Sequence, residues 1–284
     1  MKTVLVPTDY SASAKNAALY AINLASQLRV GKIILYNAYL APPVITEHGI
    51  MPTATTPFLD VETLRDISNT GMEHFEQSIK SFCPPGIKIE KQTEYASLES
   101  EVNNVCKETH ADLIVMGITG TSKIEEVLIG STALSVIKNT KVPVIVVPPE
   151  ARYTSVKNVM LACDYKKVVE TTPVQPIKSI LDATKAVLHV VNVYKNDKEV
   201  ASGKTYQQEL LRSLLKEYNP HFHFIHNEDF TAAINDFVDA NNIDLIITIP
   251  KKHGFFEGLF KESHTKKLAF HSHVPLMYIH DEDL

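Results

Sequence analysis

The sequence contains no tryptophan, only three cysteines and ten glycines, no long apolar run and no excess of positive charge, and each shortage removes a class of protein. Cys83, Cys106 and Cys163 are odd in number and form no CxxC pair. That argues against a disulfide framework and predicts reduced thiols packed as small hydrophobes. No stretch approaches the ~20 apolar residues of a membrane-spanning helix, and the apolar run inside MKTVLVPTDYSASAK is too short for a secretory signal. The expectation is a soluble, cytoplasmic chain with no membrane partner. Lys and Arg total 28 against 33 Asp and Glu, a net charge of −5, so neither nucleic acid nor an anionic surface finds a basic footprint. Also missing are G-x-G-x-x-G after the first strand, G-x-x-x-x-G-K-[ST] and G-x-S-x-G. What is there is ordinary: 284 residues, 44% hydrophobic and 21% charged, enough for one large domain or two small ones.

An internal repeat decides between those two. Lys2-Thr-Val-Leu-Val-Pro-Thr-Asp9 aligns with Lys157-Asn-Val-Met-Leu-Ala-Cys-Asp164 at an offset of 155, and Ile33–Asn37 aligns more loosely with Leu188–Asn192 at the same offset. Asp112-Leu-Ile-Val-Met116 matches Asp244-Leu-Ile-Ile-Thr248, and Val142-Pro-Val-Ile-Val matches Val274-Pro-Leu-Met-Tyr, both at 132. The difference, 155 − 132 = 23, is extra chain in the first copy. Two domains follow, 1–150 and 156–284, joined by a linker over Ala151–Ser155. Glycine divides seven to three between the halves and histidine three to nine, so the bland composition is an average over two unlike copies.

Each copy alternates short β-branched runs with amphipathic helical stretches. Val4–Pro7, Lys32–Ala38, Ile87–Ile89, Asp112–Met116 and Val144–Val147 have strand length. So do the runs near Val159, Val187–Val193, Phe222–Ile225, Leu245–Ile249 and Leu276–Ile279. Ala17, Ala21, Leu24 and Leu28 make an apolar helix face behind the cap candidates Ser11 and Ser13, and Val102, Val105 and Cys106 make another. Continuous apolar strands separated by helices predict parallel sheets covered on both faces, an α/β class of two tandem doubly wound domains. Leu40–Pro57, with four prolines and neither period, reads as a loop: a surface excursion or a lid.

The chemistry concentrates in one glycine constellation. Gly117 and Gly120 follow a buried strand at the carboxyl edge of the sheet, where glycine permits close approach to a ligand or a positive φ. Gly130-Ser131-Thr132 opens the helix Ala133–Lys138, whose free N–H groups, two hydroxyls and dipole make an anion cradle. Gly117-x2-Gly120-x9-Gly130-Ser131-Thr132, followed by Lys141-Val-Pro143-Val-Ile-Val-Val, resembles the signature of the nucleotide-binding branch of the universal stress proteins. The opening strand that runs into Asp9 resembles that family too, and the chain is similar to a tandem pair of its domains. The resemblance implies a five-stranded parallel sheet in each domain, adenine nucleotide alpha hydrolase-like and Rossmann-like, with ATP at the carboxyl edge. It implies that Pro7, Thr8 and Asp9 border adenine and ribose, that Ala38 flanks the base, and that Met116 and Gly117 touch base and ribose. Gly120, Gly130, Ser131 and Thr132 would then hold phosphates. The spacer Thr121–Glu126 carries one Lys and two Glu where family members are often basic; AMP or ADP is therefore an alternative to ATP, and Mg²⁺ a means of offsetting the repulsion.

The second copy lacks this machinery. Gly117 aligns with Ile249, Gly120 with Lys252 and Gly130 with Glu262, and only Ser131 persists, as Ser263. In its place stands Lys251–His264, with three Phe and two His, which reads either as a recognition surface or as filling for a vacated site. His221-x-His223 and His271-x-His273, with His226 and His264, raise metal binding, but no second motif supports it and solvated histidines are the default. Three functions stay open: a nucleotide-binding stress regulator with at most slow hydrolysis, an ATPase or phosphotransferase in which Asp9 or Glu125 aligns Mg²⁺ or water, and a nucleotide-free scaffold. The final strands, Val144–Val147 and Leu276–Ile279, are expected to pair within the chain as a pseudo-dimer, with a homodimer as a further level.

Overall fold

Short β-branched runs and amphipathic stretches alternate along the chain, and the elements follow them. The first half runs β1 (Thr3–Pro7), α1 (Ala12–Gln27), β2 (Lys32–Tyr39), β3 (Val44–Thr46), β4 (Gly49–Met51), α2 (Val61–Lys80), β5 (Lys88–Tyr95), α3 (Leu98–Thr109), β6 (Leu113–Gly117), α4 (Ser131–Asn139) and β7 (Val144–Val147). The second continues with β8 (Asn158–Ala162), α5 (Val168–Thr171), α6 (Val174–Thr184), β9 (Val187–Tyr194), α7 (Lys204–Leu214), β10 (His221–His226), α8 (Phe230–Ala240), β11 (Leu245–Thr248) and β12 (Leu276–Tyr278). This computed structural model describes residues 1–41, 44–46, 49–51, 60–118, 129–165, 167–194, 204–249 and 274–280.

Ten strands form one sheet in the order β10-β9-β8-β11-β12-β7-β6-β1-β2-β5. Within β7-β6-β1-β2-β5 and within β12-β11-β8-β9-β10 every pairing is parallel. The halves meet through β7 and β12, which run antiparallel with Ile145 opposite Met277. Side chains alternate across the sheet. Val4 and Val6 pack on one face with α1, α2, α6 and α7 residues, whereas Leu5 packs on the other with residues of α3, α4 and α8. Helices on both faces explain why β1, β6 and β7 read as unbroken apolar runs: neither face of these strands meets water.

The repeat is visible atom by atom. Asp112 Oδ2 accepts the amides of Lys2 and Thr3 at 2.5 and 3.0 Å, and Asp244 Oδ2 accepts those of Lys157 and Asn158 at 2.8 and 2.9 Å. Asn37 Nδ2 donates to the Thr8 carbonyl at 2.7 Å, and Asn192 Nδ2 donates to the Cys163 carbonyl at 2.8 Å. The repeated Asp and Asn therefore do structural work, pinning the two ends of β1 and of β8.

Several elements differ from expectation. Leu40–Pro57 is not without strand: β3 and β4 pair as an antiparallel hairpin, Val44 opposite Met51, too short for alternation to register in the sequence. The 20-residue α2 went unassigned although Met72, Phe75 and Ile79 form its buried stripe. β5 extends to Tyr95, well beyond Ile89, because an edge strand needs few apolar residues. The linker Ala151–Ser155 is anchored to α1: Arg152 donates to Asn16 Oδ1 at 2.9 Å, and the Gln27 amide pairs with both backbone groups of Val156 at 2.9 Å. The three cysteines form no disulfide, Cys106 and Cys163 are buried, and burial pushes the Cys106 thiol up to about 12.

Candidate functional site

Because the five strands that the first half gives to the large sheet run parallel, the loops leaving their carboxyl ends arrive at one edge, and there a cleft of about 420 Å³ opens. Its floor is the end of β1, Pro7-Thr8-Asp9, with Ala38 from β2 and Met116-Gly117 from β6 beside it. Gly130, Ser131 and Thr132, at the start of α4, form one wall. Of the residues the sequence singled out, all but Gly120 line this space; Gly120 lies outside the described residues.

The local structure explains why these groups face the cleft. Ser11 caps α1 by accepting the Ala14 amide at 3.1 Å, which ends the Thr8–Tyr10 turn and leaves the Asp9 carboxylate exposed; its Oδ1 accepts the Ser11 amide at 3.1 Å. Ser13, the second cap candidate, lies inside α1 instead. Gly130 is the N-cap of α4 with an ordinary φ of −62°, and no side chain caps that helix. Its N–H donates to the Ile118 carbonyl at 2.7 Å. The amide end of α4, with both hydroxyls beside it, thus borders the cleft with its positive dipole end uncompensated. Gly117 has a packing reason to be glycine beside the expected one: a Cβ there would overlap Ser13 Oγ and stand 3.1 Å from the Ser13 carbonyl. Close packing of α1 on β6 demands it, and the only positive-φ glycine among the described residues is Gly86.

Sequence reasoning missed the opposite wall. Tyr36, Leu40, Ala96, Ser97, Leu98 and Glu99 line it, the last four around the start of α3. Ser97 caps α3, accepting the Ser100 amide at 3.3 Å. The Tyr36 hydroxyl donates to Glu94 at 2.8 Å, and burial first, then this carboxylate, push its pKa far above the ordinary phenol value. The signal was available: had β5 been drawn to Tyr95, the parallel topology would have placed the following residues at this edge.

A family model for the universal stress protein family matches residues 1–148, more than half of the chain. The chain belongs to the universal stress protein family. Universal stress protein MJ0531 of Methanocaldococcus jannaschii is 31% identical over 146 residues, covering 51% of this chain and 81% of that protein. Universal stress protein YxiE of Bacillus subtilis is 28% identical over 148 residues, 51% of this chain and 97% of that one. A crystal structure of a universal stress protein from Archaeoglobus fulgidus spans both halves. It covers 99% of this chain and 97% of its own with a TM-score of 0.67, and at 19% identity it attests to the fold. The α/β architecture of a universal stress protein is thereby shown.

In the second half the equivalent edge is differently furnished. Ile249 stands where Gly117 does, and Tyr165 is buried and stacked on Phe224 with centroids 5.6 Å apart. Lys252, Glu262 and the Lys251–His264 segment lie outside the described residues, as do His271 and His273. His221 and His223 are not merely solvated. With His189 of β9, which the sequence pattern passed over, they form a stacked set, His189 Nδ1 lying 3.1 Å from His223 Nε2. Burial, then the neighbouring imidazoles, lower the pKa of His189, and burial with His221 lowers that of His223. Among the described residues no His, Cys, Asp or Glu group is arranged to hold a metal ion, and no helix is long and apolar enough to cross a membrane.

Proposed function

We propose that this universal stress protein binds an adenine nucleotide, ATP or alternatively AMP or ADP, in a domain comprising residues 1–150, and acts as a cytoplasmic stress-response sensor or regulator. The observation that carries it is the convergence of the β1 turn, the β6 glycine and the uncapped start of α4 on one cleft of about 420 Å³, a volume in the range of small-molecule sites. The fit is chemical: orphan amides and the hydroxyls of Ser131 and Thr132 suit phosphate, and Gly130 places no Cβ before them. Pro7, Thr8, Asp9, Ala38, Met116 and Gly117 would take base and ribose, with Gly120 completing the phosphate loop. Bound Mg²⁺ would supply charge neutralisation for a triphosphate. Residues 156–284 form a domain of the same fold that does not take nucleotide, and the chain self-associates as a homodimer beyond its internal pairing.

Titration calorimetry tests this directly. The full chain binds ATP or AMP, and Gly130→Glu, which puts a carboxylate at the phosphate wall, weakens binding at least tenfold; equal affinities in the two proteins refute the site. ATP turnover well above background, abolished by Gly130→Glu, would instead identify a hydrolase in which the exposed Asp9 carboxylate aligns water or metal. Light scattering at twice 31.7 kDa reports the homodimer.

A further inference from the structure

The turn that carries Thr8 and Asp9 into the cleft is strained, and a chain of buried and half-buried hydrogen bonds ties it to a helix outside the cleft. Tyr10 has φ of 64°, a left-handed conformation that a bulky residue seldom adopts. Its hydroxyl donates to the Ser68 carbonyl at 2.7 Å and lies 3.3 Å from Ser68 Oγ. Ser68 Oγ donates to Asn37 Oδ1 at 2.7 Å, and Asn37 Nδ2 donates to the Thr8 carbonyl at 2.7 Å. The circuit closes through the Tyr10 amide, which donates to Thr8 Oγ1 at 3.0 Å. Ser68 and Asn37 are both buried, so water does not compete for the Ser68–Asn37 and Asn37–Thr8 bonds, while the Tyr10 bonds are half-buried. Helix α2 is shaped for this: a Cβ on Gly71 would stand 2.7 Å from the Tyr10 ring, and Phe75, one turn further along the same helix, packs against the ring at a centroid distance of 5.9 Å.

The second half supplies an internal control. Tyr165 repeats the left-handed turn at φ 52°, its amide donates to Cys163 Sγ at 3.4 Å, and Asn192 holds the Cys163 carbonyl. Yet the Tyr165 hydroxyl is buried with no hydrogen-bond partner among the described residues. The turn therefore forms without the tyrosine latch. Among the described residues the tyrosine latch is found in the first half, beside the cleft.

We propose that Tyr10, Ser68 and Asn37 are positioning residues that couple helix α2 to the cleft through the Thr8–Asp9 turn, so that ligand binding and the ordering of α2 reinforce one another. This rests on nucleotide occupying the first cleft. Coupling of two sites is reciprocal: a helix that steadies the turn raises affinity, and a ligand that steadies the turn protects the helix.

Hydrogen exchange and ATP calorimetry on the full chain test it. In the native protein, saturating ATP slows exchange over residues 129–139 and also over 61–80. Tyr10→Phe keeps the ring and deletes one hydrogen bond; it weakens ATP binding about three- to tenfold. At ATP raised to restore saturation, protection persists at 129–139 and is lost over 61–80. Ser68→Ala does the same, and Tyr165→Phe leaves both readouts at their native values. A Tyr10→Phe protein that melts earlier but keeps native affinity and native protection of 61–80 makes the contact merely structural and overturns the latch. So does an equal loss on Tyr165→Phe. Absence of protection at 129–139 in the native protein overturns nucleotide binding and the latch together, whereas its absence over 61–80 alone overturns only the latch.

Discussion

Single residues in this chain divide into those that hold the fold and those that face the cleft, and the repeat separates the two. Asp112 and Asp244 sit at equivalent places and accept the same pair of amides, so their role belongs to the fold. Asp112→Ala and Asp244→Ala should each cost about 2–3 kcal/mol, the weight of hydrogen bonds to a charged acceptor, measured as a shifted urea midpoint. A loss confined to one variant contradicts the equivalence. Gly117 looked like a ligand glycine in sequence and proves to be a packing glycine as well, since its missing Cβ makes room for Ser13. Gly117→Ala should therefore destabilise the unliganded protein by about 1–3 kcal/mol, the range for overpacking. An unchanged melting temperature would show that α1 slides aside without cost. The glycine signature was legible because its small residues stand at a fixed spacing, and every described member of it lines the cleft. The Tyr10–Ser68–Asn37 circuit was not, because it joins three distant positions whose residue types, taken one at a time, mean nothing.

At the scale of elements, the parallel strands of the interior announced themselves through unbroken Val, Ile and Leu, and β7 matches its sequence boundaries. The edges did not. β5 carries Lys88, Glu90, Lys91 and Glu94 among its eight residues, and the β3–β4 hairpin is three residues a side, so neither shows the apolar run or the alternation on which strand recognition rests. The opposite edge, β10, is defended differently, by histidines instead of lysine–glutamate pairs such as Lys91–Glu76 at 2.9 Å. This gives it a pH dependence of definite sign. His189 and His223 have folded pKa values below the ordinary 6.5. Above that value both states are neutral; below it the unfolded chain takes up protons that the folded chain resists, so stability falls as pH drops from about 6.5 through the lowered folded values. Urea midpoints at pH 7.5 and 5.5 should differ in that direction, and His223→Phe should narrow the gap. A gap that does not narrow would place the acid sensitivity elsewhere.

Across the whole molecule, the antiparallel meeting of β7 and β12 turns two parallel sheets into one, and a single buried cluster runs from Val4 and Val6 through Ile145 and Met277 to Leu188. Unfolding in urea should accordingly be one cooperative transition, coincident by far-ultraviolet circular dichroism and by tyrosine fluorescence. Two separated transitions would mean that the halves share a boundary but not a stability. The same junction settles where Thr3 and Tyr278 lie relative to the cleft. β1 runs parallel to β7 and β12 antiparallel to it, with Tyr278 beside Val144 at the strand start, so Thr3 and Tyr278 leave the sheet along one rim while the cleft opens on the opposite rim. A tether to a sensor surface attached on the Thr3 side or on the Tyr278 side therefore leaves the cleft facing the solution, and nucleotide kinetics should not depend on which of the two is used.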